Sequence, residues 1–342
     1  MGNADTTSCF CIWCGGQMAS WMTLPDWRRP GVPELHYLYW CDACDFGQIS
    51  PRPAAREIAA FYEIDHYYTH GDSAAAIPAS FLDRLRVHLA WRADRSDALT
   101  PRRVFGMLPQ RGGTDTPAVC DLGCGDGTTL AGLRELGCNV VGVEPDPAAR
   151  RIATARGLDV RDGLADSPSL PAGLHPHSFD AVLMSHVLEH CLDPLQSLIN
   201  AKVLLRPGGA LLCEVPNNAA IGLAWSQAAW RWLDVPRHLN FFTVASLSHA
   251  AAKAGFSITA LSHTGYLRQF TSDWINEEQR IAQSLLSRPG GAIGRATPLT
   301  SGRSWAMLLR TAFARRARKY DSMWMLAHLP KLDRNLPGPI GR

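Results

Sequence analysis

The sequence predicts an α/β protein whose mostly parallel sheet follows a small cysteine-rich unit and carries helical additions. Three observations support this prediction. Apolar, strand-like runs alternate with helical patterns from residue 118, a glycine-rich turn follows the first of these runs, and two Cys-x-x-Cys pairs precede residue 50. Strands that alternate with helices form parallel sheets covered on both faces. The expected strands are 118–122, 140–144, 158–161, 179–185 and 209–215, and the expected helices are 128–137, 147–156, 194–204 and 244–254.

The glycine-rich turn is the most informative motif in the chain. Asp121 ends an apolar run, and Gly123, Gly125 and Gly127 follow it before a helix-forming segment. Glycine has no Cβ, so a cofactor can lie directly against the backbone at these positions. Glu144 ends the next apolar run about 20 residues later, where an acidic side chain commonly binds ribose hydroxyls. The layout therefore predicts a nucleotide-cofactor site at the carboxyl ends of these strands.

The spacing of the glycines argues against a dinucleotide. Dinucleotide sites usually show Gly-x-Gly-x-x-Gly, with the pyrophosphate on the helix N-terminus. Here the glycines alternate, and the carboxylates of Asp121 and Asp126 would repel a pyrophosphate. The pattern Asp-x-Gly-x-Gly-x-Gly followed by Glu144 resembles motif I of the class I S-adenosylmethionine-dependent methyltransferases, whose cofactor carries a sulfonium and an ammonium group. A Rossmann-like fold without a cofactor is the alternative.

This resemblance extends over residues 118–263 and implies a Rossmann-like methyltransferase sheet of seven strands. Glu144 matches the acid on the ribose hydroxyls, and Asp162 matches the position that contacts the adenine amino group. The fourth strand resembles motif IV, which ends at the reacting methyl group. By resemblance, 265–270 is expected to be the antiparallel strand that completes the sheet. The implied cofactor-binding residues are Asp121, Gly123, Gly125, Glu144, Asp162 and Ser185.

His186, Glu189 and His190 follow the fourth strand as His-x-x-Glu-His. On one long helix this spacing would be an inverted zinc-peptidase motif, but here a strand precedes it. Two interpretations stay open. Glu189 and His190 hold a divalent ion together with His238, as in small-RNA 2′-O-methyltransferases and a ubiquinone-pathway group of O-methyltransferases, or they serve packing and hydrogen bonding.

His238 belongs to a segment that resembles the Pro-x-His-Leu-x-Phe-Phe signature of one bacterial methyltransferase subfamily. Methyl transfer to oxygen or nitrogen is a displacement in which the acceptor loses a proton, and histidine titrates in the useful pH range. His238 is therefore the candidate general base, with His190 as a second catalytic candidate. A capping or packing role for His238 is the alternative.

The two Cys-x-x-Cys pairs predict a structural zinc site. Cys11 and Cys14 are separated from Cys41 and Cys44 by 26 residues that suit a small β-ribbon. Four thiolates complete a tetrahedral zinc site and leave no open coordination position. Cys9 is a competing ligand, and a redox function is the minor alternative.

Composition and local patterns complete the expected organisation. With 342 residues, 46% of them hydrophobic, and a formal net charge of +3, the chain can form one large and one small domain and shows no global basic character. It lacks a signal-peptide pattern and an apolar run of about 18 residues, so a cytoplasmic location is expected. The expected units are a zinc ribbon at 1–52, a helical connector at 53–117, a methyltransferase domain at 118–270 and a helical extension at 271–342.

Two further segments have open interpretations. Aromatic residues at 61–68 either line the mouth of the site or pack conventionally. Residues 305–319 form a basic amphipathic helix, which either packs on the domain or presents a surface to an anionic substrate or a membrane.

The expected function is methyl transfer from S-adenosylmethionine to a hydroxyl or amine of a small-molecule or glycan acceptor. The cysteine-rich start resembles bacterial sugar C-methyltransferases and methyltransferases of polysaccharide or natural-product clusters. The lack of their C-terminal α/β domain argues against C-methylation. Ribosomal RNA methylation is an alternative that the modest net charge disfavours. A non-catalytic cofactor-binding protein is the other.

Overall fold

The computed structural model describes residues 9–62, 80–109, 116–287 and 296–329. Tyr67, Tyr68 and most of the linker expected at 112–117 lie outside these ranges. The strands are β1 (Ala19–Pro25), β2 (Leu35–Cys41), β3 (Phe46–Ser50), β4 (Ala118–Leu122), β5 (Asn139–Val143), β6 (Val160–Arg161), β7 (Phe179–Ser185), β8 (Leu205–Pro216), β9 (Asn240–Phe241), β10 (Ser257–Thr264) and β11 (Ser322–His328). The helices are α1 (Ala55–Phe61), α2 (Phe81–Ala93), α3 (Pro101–Met107), α4 (Thr128–Glu135), α5 (Pro147–Ala155), α6 (Pro194–Leu204), α7 (Ile221–Ser226), α8 (Val244–Lys253), α9 (Ser272–Leu286), α10 (Ser301–Ala312) and α11 (Arg316–Lys319).

The main sheet has seven strands in the order β10-β11-β8-β7-β4-β5-β6. Its strands run parallel except β11, which pairs antiparallel with both β8 and β10. The predicted strand and helix alternation from residue 118 is confirmed, as is the Rossmann-like sheet of seven strands. In such a sheet the loops after the parallel strands meet at one edge, so side chains at the ends of β4, β5, β6 and β7 come together.

The position predicted for the antiparallel strand is wrong. The expectation was 265–270, but the chain reverses at Gly265, whose φ is 82°, and forms a single helical turn at Leu267–Phe270. The antiparallel strand is β11, which begins about 50 residues later. Its residues Met323 and Met325 are fully buried, as a continuous apolar run in a central strand requires. Part of the expected helical extension therefore belongs to the main sheet.

The cysteine-rich unit is joined to the rest of the molecule through its own sheet. Strands β1, β2 and β3 form the expected antiparallel ribbon, and β9 adds a fourth strand beside β3. Since β9 begins two residues after His238, the ribbon is hydrogen-bonded to the segment that carries this side chain. The cysteine-rich unit is thus paired with the segment that carries His238, a candidate catalytic residue.

Helices α9 and α10, which lie between β10 and β11, pack into an apolar core that they share with the ribbon. Trp230 from the loop before β9, Trp274 from α9 and Met307 from α10 lie in one cluster with Leu24 and Leu38 of the ribbon. The expected basic helix at 305–319 is in fact α10 and α11, and Met307 and Leu308 of α10 pack into this core, whereas Leu309 and Phe313 stay exposed. No helix in the described part of the chain is both long enough and apolar enough to span a membrane.

Candidate active site

The glycine turn between β4 and α4 has the backbone that its sequence predicts. Gly123 adopts a φ of 77° and Gly125 a φ of 54°, in the left-handed region that glycine tolerates best. A Cβ on Gly123 would lie 2.5 Å from Cγ2 of Val187, so no larger residue fits there. A Cβ on Gly125 would project into open space. The turn therefore presents bare backbone toward the edge of the sheet where a cofactor would lie.

Two buried carboxylates flank this turn. Asp121 is 4% exposed, and among the described residues its Oδ1 has no hydrogen-bond partner. Glu144 accepts hydrogen bonds from the backbone N–H groups of Gly125 at 2.8 Å and Asp146 at 2.9 Å. Burial, together with the charge of Glu144, raises the pKa of Asp121 to about 7. An unpartnered buried carboxylate fits a cofactor that carries an ammonium group.

The other predicted cofactor residues lie at the same sheet edge. Asp162 directly follows β6 and accepts a hydrogen bond from Arg150 Nη1 at 2.8 Å, and its side chain is largely exposed. Ser185 is the exposed last residue of β7. Asp162 thus follows β6 and Ser185 ends β7, with β4 and β5 between these two strands, and Asp162 is already engaged by an arginine.

His186 is a cation held between two carboxylates. Its backbone has a φ of 56°, and its ring contacts Oε1 of Glu189 at 3.0 Å and Oε1 of Glu214 at 3.5 Å. Burial opposes the charge, but the hydrogen bonds to Glu189 and Glu214 raise the pKa of His186 to about 10. The ring also stacks on Trp232, with a centroid distance of 5.2 Å. The sequence did not suggest a role for Glu214 or Trp232.

His190 and His238 face each other with their ring centroids 4.6 Å apart. Nδ1 of His190 lies 3.0 Å from the carbonyl oxygen of Arg237, and Nδ1 of His238 lies 2.8 Å from that of Trp232. A carbonyl only accepts, so each Nδ1 carries the proton and each Nε2 keeps its lone pair. Burial lowers the pKa of both rings to about 4, which keeps them neutral. The Tyr62 hydroxyl, 3.0 Å from Nδ1 of His190, also lies in this site.

Glu189 completes a group of three possible metal ligands. Its Oε2 is buried and has no hydrogen-bond partner among the described residues. One ligand atom each from Glu189, His190 and His238 lies within 4.8 Å of the others. Two neutral imidazoles and one carboxylate are a donor set that divalent metals accept. Because 188–190 is a single helical turn after a strand, the arrangement differs from that of a zinc peptidase.

Buried ion pairs fix the loop that carries His238. Arg237 is fully buried and lies 2.6 Å from Asp26 and 2.8 Å from Asp234. Arg28 of the ribbon reaches Asp234 at 3.1 Å. These contacts join the ribbon to the loop whose carbonyl groups orient both histidines. The only sequence signal was a cluster of charged residues within an otherwise aromatic segment, Trp230–Phe242.

The four predicted cysteine ligands converge. Sγ atoms of Cys11, Cys14, Cys41 and Cys44 lie within 4.8 Å of one another, and those of Cys14 and Cys41 are 3.7 Å apart. A tetrahedral site with Zn–S bonds of about 2.3 Å requires sulfur separations of about 3.8 Å, so the thiols fit zinc. Cys9 points elsewhere, with its Sγ 3.8 Å from the sulfur of Met18.

Comparison with known proteins supports the prediction of a methyltransferase fold. Residues 87–261 match a family model described as a methyltransferase domain. The ubiquinone biosynthesis O-methyltransferase of Dinoroseobacter shibae is 32% identical over 147 residues, which cover 40% of this chain and 58% of that one. Its counterpart from Ruegeria pomeroyi is 31% identical over 176 residues, covering 47% and 69%.

The chain therefore spans only about three fifths of the first of these relatives. Among solved structures, a possible histamine N-methyltransferase from Thermotoga maritima superposes with a TM-score of 0.43 and 18% identity, covering 72% of this chain and 90% of that one. The family match covers just over half of the chain and includes the glycine turn and the ends of β5, β6 and β7. The chain belongs to the family of S-adenosylmethionine-dependent methyltransferases that share this methyltransferase domain.

Proposed function

We propose that this protein transfers the methyl group of S-adenosylmethionine to a hydroxyl group of a small molecule or sugar. The observation that carries the proposal is the position of the glycine turn beside two neutral histidines and a buried carboxylate. The O-methyltransferase names of the relatives favour oxygen over nitrogen as the acceptor atom.

The cofactor would lie across the ends of β4 to β7. The Asp121 carboxylate would pair with the ammonium group, and the backbone at Gly123 and Gly125 would accommodate the amino-acid part. Glu144 would bind the ribose hydroxyls, and Asp162 the adenine amino group once it exchanges its contact with Arg150. Ser185, at the end of β7, would lie near the transferred methyl group.

Calorimetric titration with S-adenosylmethionine and with its demethylated product tests this assignment. We expect micromolar binding, about −8 kcal/mol, and a loss of about 50-fold or more in Asp121→Asn, because a charge-assisted hydrogen bond disappears. Asp159→Asn is the matched control, since Asp159 precedes β6 and its carboxylate already pairs with Arg161. A wild-type protein that is folded and binds neither compound would refute the proposed function.

The cofactor affinity should depend on pH through Asp121. Its pKa is raised to about 7 by burial and by Glu144, so the carboxyl becomes protonated and loses its charge as the pH falls through 7. The cationic cofactor binds the ionised form, and we expect about tenfold weaker binding at pH 6 than at pH 8. Calorimetry across this range measures the effect. Asp121→Asn should bind weakly and show little pH dependence, and a wild-type affinity that is flat with pH contradicts the role of Asp121.

We also propose that Glu189, His190 and His238 bind a divalent cation beside the methyl donor. Both imidazoles keep Nε2 lone pairs, and Oε2 of Glu189 has no other partner in the described structure. A divalent cation supplies Lewis acidity, which lowers the pKa of a coordinated hydroxyl. A histidine with a pKa of about 4 is a weak base near neutral pH, which argues against the general-base role for His238. Its position beside Glu189 and His190 favours the ligand role instead.

Acceptor chemistry can be tested with simple probes. If a cation holds the acceptor, 3,4-dihydroxybenzoate, whose adjacent hydroxyls chelate metals, should be methylated faster than a monohydroxy analogue. Mass spectrometry of the products with Mg²⁺ added measures this preference. Sugars tested in parallel address the glycan alternative. Equal rates for the mono- and dihydroxy compounds would argue against acceptor chelation.

For the ribbon, we propose that Cys11, Cys14, Cys41 and Cys44 bind one structural zinc ion. All four ligand positions are filled by protein, which is typical of zinc with a folding role. The ion would stabilise a segment that has little core of its own and that orients the loop bearing His238.

A further inference from the structure

Helix α2 exposes an unusual number of apolar side chains. Phe81 is 70% exposed, Leu82 57%, Leu85 37% and Leu89 39%. The spacing of 81, 85 and 89 by four residues places them on one face of the helix. The buried side of α2 is formed instead by Arg86 and Ala90. The hydrophobic face therefore points away from the protein core.

The charges around this face are basic. Arg92 is exposed and follows Leu85 by seven residues, which places it on the same face, and Arg84 and Arg95 are exposed nearby. The single acidic residue of α2, Asp83, is paired with Arg86 at 2.8 Å. Beyond the helix, Asp97 is paired with Arg103 and Arg316. Arginines thus border the exposed apolar side chains, while Asp83 and Asp97 are engaged in ion pairs and Asp94 accepts hydrogen bonds from the backbone N–H groups of Ser96 and Leu267.

A chain of contacts connects the flank of this face to the proposed active site. A shallow cavity of about 420 Å³ on its flank is lined by Asp83, Arg84, Val87, His88, Trp91 and Leu267. Leu267 begins the helical turn after β10, and the guanidinium of the next residue, Arg268, lies 5.0 Å from the ring of Trp232. Trp232 stacks on both His186 and His238. The flank of this face is therefore connected to the site histidines through Leu267, Arg268 and Trp232.

A second helix, α10, also exposes large apolar side chains beside arginines. Helix α10 packs against α2 and leaves Leu309 71% and Phe313 95% exposed. Arg310 and Arg315 are exposed beside them. Exposed apolar patches rimmed by polar residues commonly mark interaction sites.

We propose that the exposed face of α2 docks the protein onto an anionic membrane surface. Amphipathic helices with apolar side chains and flanking arginines lie in the interface, where the apolar groups enter the acyl boundary and the arginines meet anionic headgroups. A second copy of the chain fits less well, because a twofold interface would bring Arg84 and Arg92 of one copy close to the same residues of the other. This docking goes beyond the proposed methyl transfer and does not depend on it.

Vesicle flotation of the full chain tests the proposal without cofactor or acceptor. We expect binding to phosphatidylcholine vesicles that contain about 30% phosphatidylglycerol, weakened by salt, and little binding to pure phosphatidylcholine. The double variant Leu85→Ser/Leu89→Ser should lose about tenfold or more in affinity, as should Arg84→Glu/Arg92→Glu. Leu286→Ser is the matched control, because Leu286 is 78% exposed at the end of α9 and should have no effect.

Circular dichroism and cofactor titration on the same samples show that the variants are folded. A wild-type protein that does not float with anionic vesicles overturns the proposal, and so does full binding by the Leu85→Ser/Leu89→Ser variant. Equal binding to neutral vesicles removes the role of the arginines. If sedimentation instead shows a dimer that Leu85→Ser/Leu89→Ser converts to a monomer, the face is an interface between copies and the membrane proposal is wrong.

Discussion

Replacing Cys41 by serine is expected to reduce the zinc content from about one ion per chain to near zero and to lower the midpoint of thermal unfolding by about 10 °C or more. Structural zinc contributes about 10–16 kcal/mol of binding free energy in small zinc peptides, and each kcal/mol corresponds to about 2–4 °C in a domain of 150–250 residues. Metal analysis and calorimetric melting measure both effects.

The same substitution should impair the active site, although the cysteines do not contact the histidines. Strand β3 of the ribbon donates a hydrogen bond from the Ile49 N–H to the carbonyl of Leu239, and Leu239 in turn donates to the carbonyl of Glu189. Thr243 donates from Oγ1 to the carbonyl of Asp45 at 2.8 Å. If zinc holds the ribbon together as proposed, its loss should loosen these contacts and weaken the support of the loop carrying His238.

Cys9→Ser is the matched control for this prediction. Cys9 is buried in the same unit, but its sulfur contacts Met18 and accepts a hydrogen bond from Gln48. We expect this variant to keep its zinc and to melt close to the wild type. Zinc loss in Cys9→Ser together with retention in Cys41→Ser would identify a different ligand set. Full retention by both variants would show that these cysteines do not hold the ion.

Local patterns were sufficient to predict most of the sheet. Strands β4 and β5 are short apolar runs that end near an acid, Asp121 or Glu144, and helix α5 after β5 begins at a strong capping residue, Asp146. The cysteine pairs likewise impose a constraint that is visible in the sequence, because two Cys-x-x-Cys pairs at this spacing are typical of thiols that converge on one zinc ion.

Features that depend on distant partners could not be predicted in this way. Strand β11 is a run of seven residues after three helices, and what identifies it as part of the sheet is its pairing with β8 and β10. The charge of His186 depends on Glu214, which lies at the end of a neighbouring strand and 28 residues away. Such pairs arise from strand order, which local periodicity does not encode.

The three proposed metal ligands allow a decisive comparison between the two roles of His238. Glu189→Gln, His190→Ala and His238→Ala should each weaken Mn²⁺ binding by about 100-fold or more, because each removes one donor of the set. Electron paramagnetic resonance detects free Mn²⁺ directly, and a ribbon zinc is silent in this measurement. His175→Ala, at an exposed histidine in the loop before β7, should bind like the wild type.

The turnover of the same variants then separates the mechanisms. If a cation activates the acceptor hydroxyl, all three substitutions should lower kcat by about 10²–10⁴-fold, the range for loss of proton-transfer assistance. If His238 acts alone as a base, only its own substitution should reach that size. Glu189→Gln would then stay within about tenfold of the wild type, and wild-type turnover would not respond to added Mg²⁺. Because Nδ1 of both histidines is bound to a backbone carbonyl, the two Nε2 atoms are equivalent in protonation, and what distinguishes the mechanisms is whether Glu189 and His190 are needed as well.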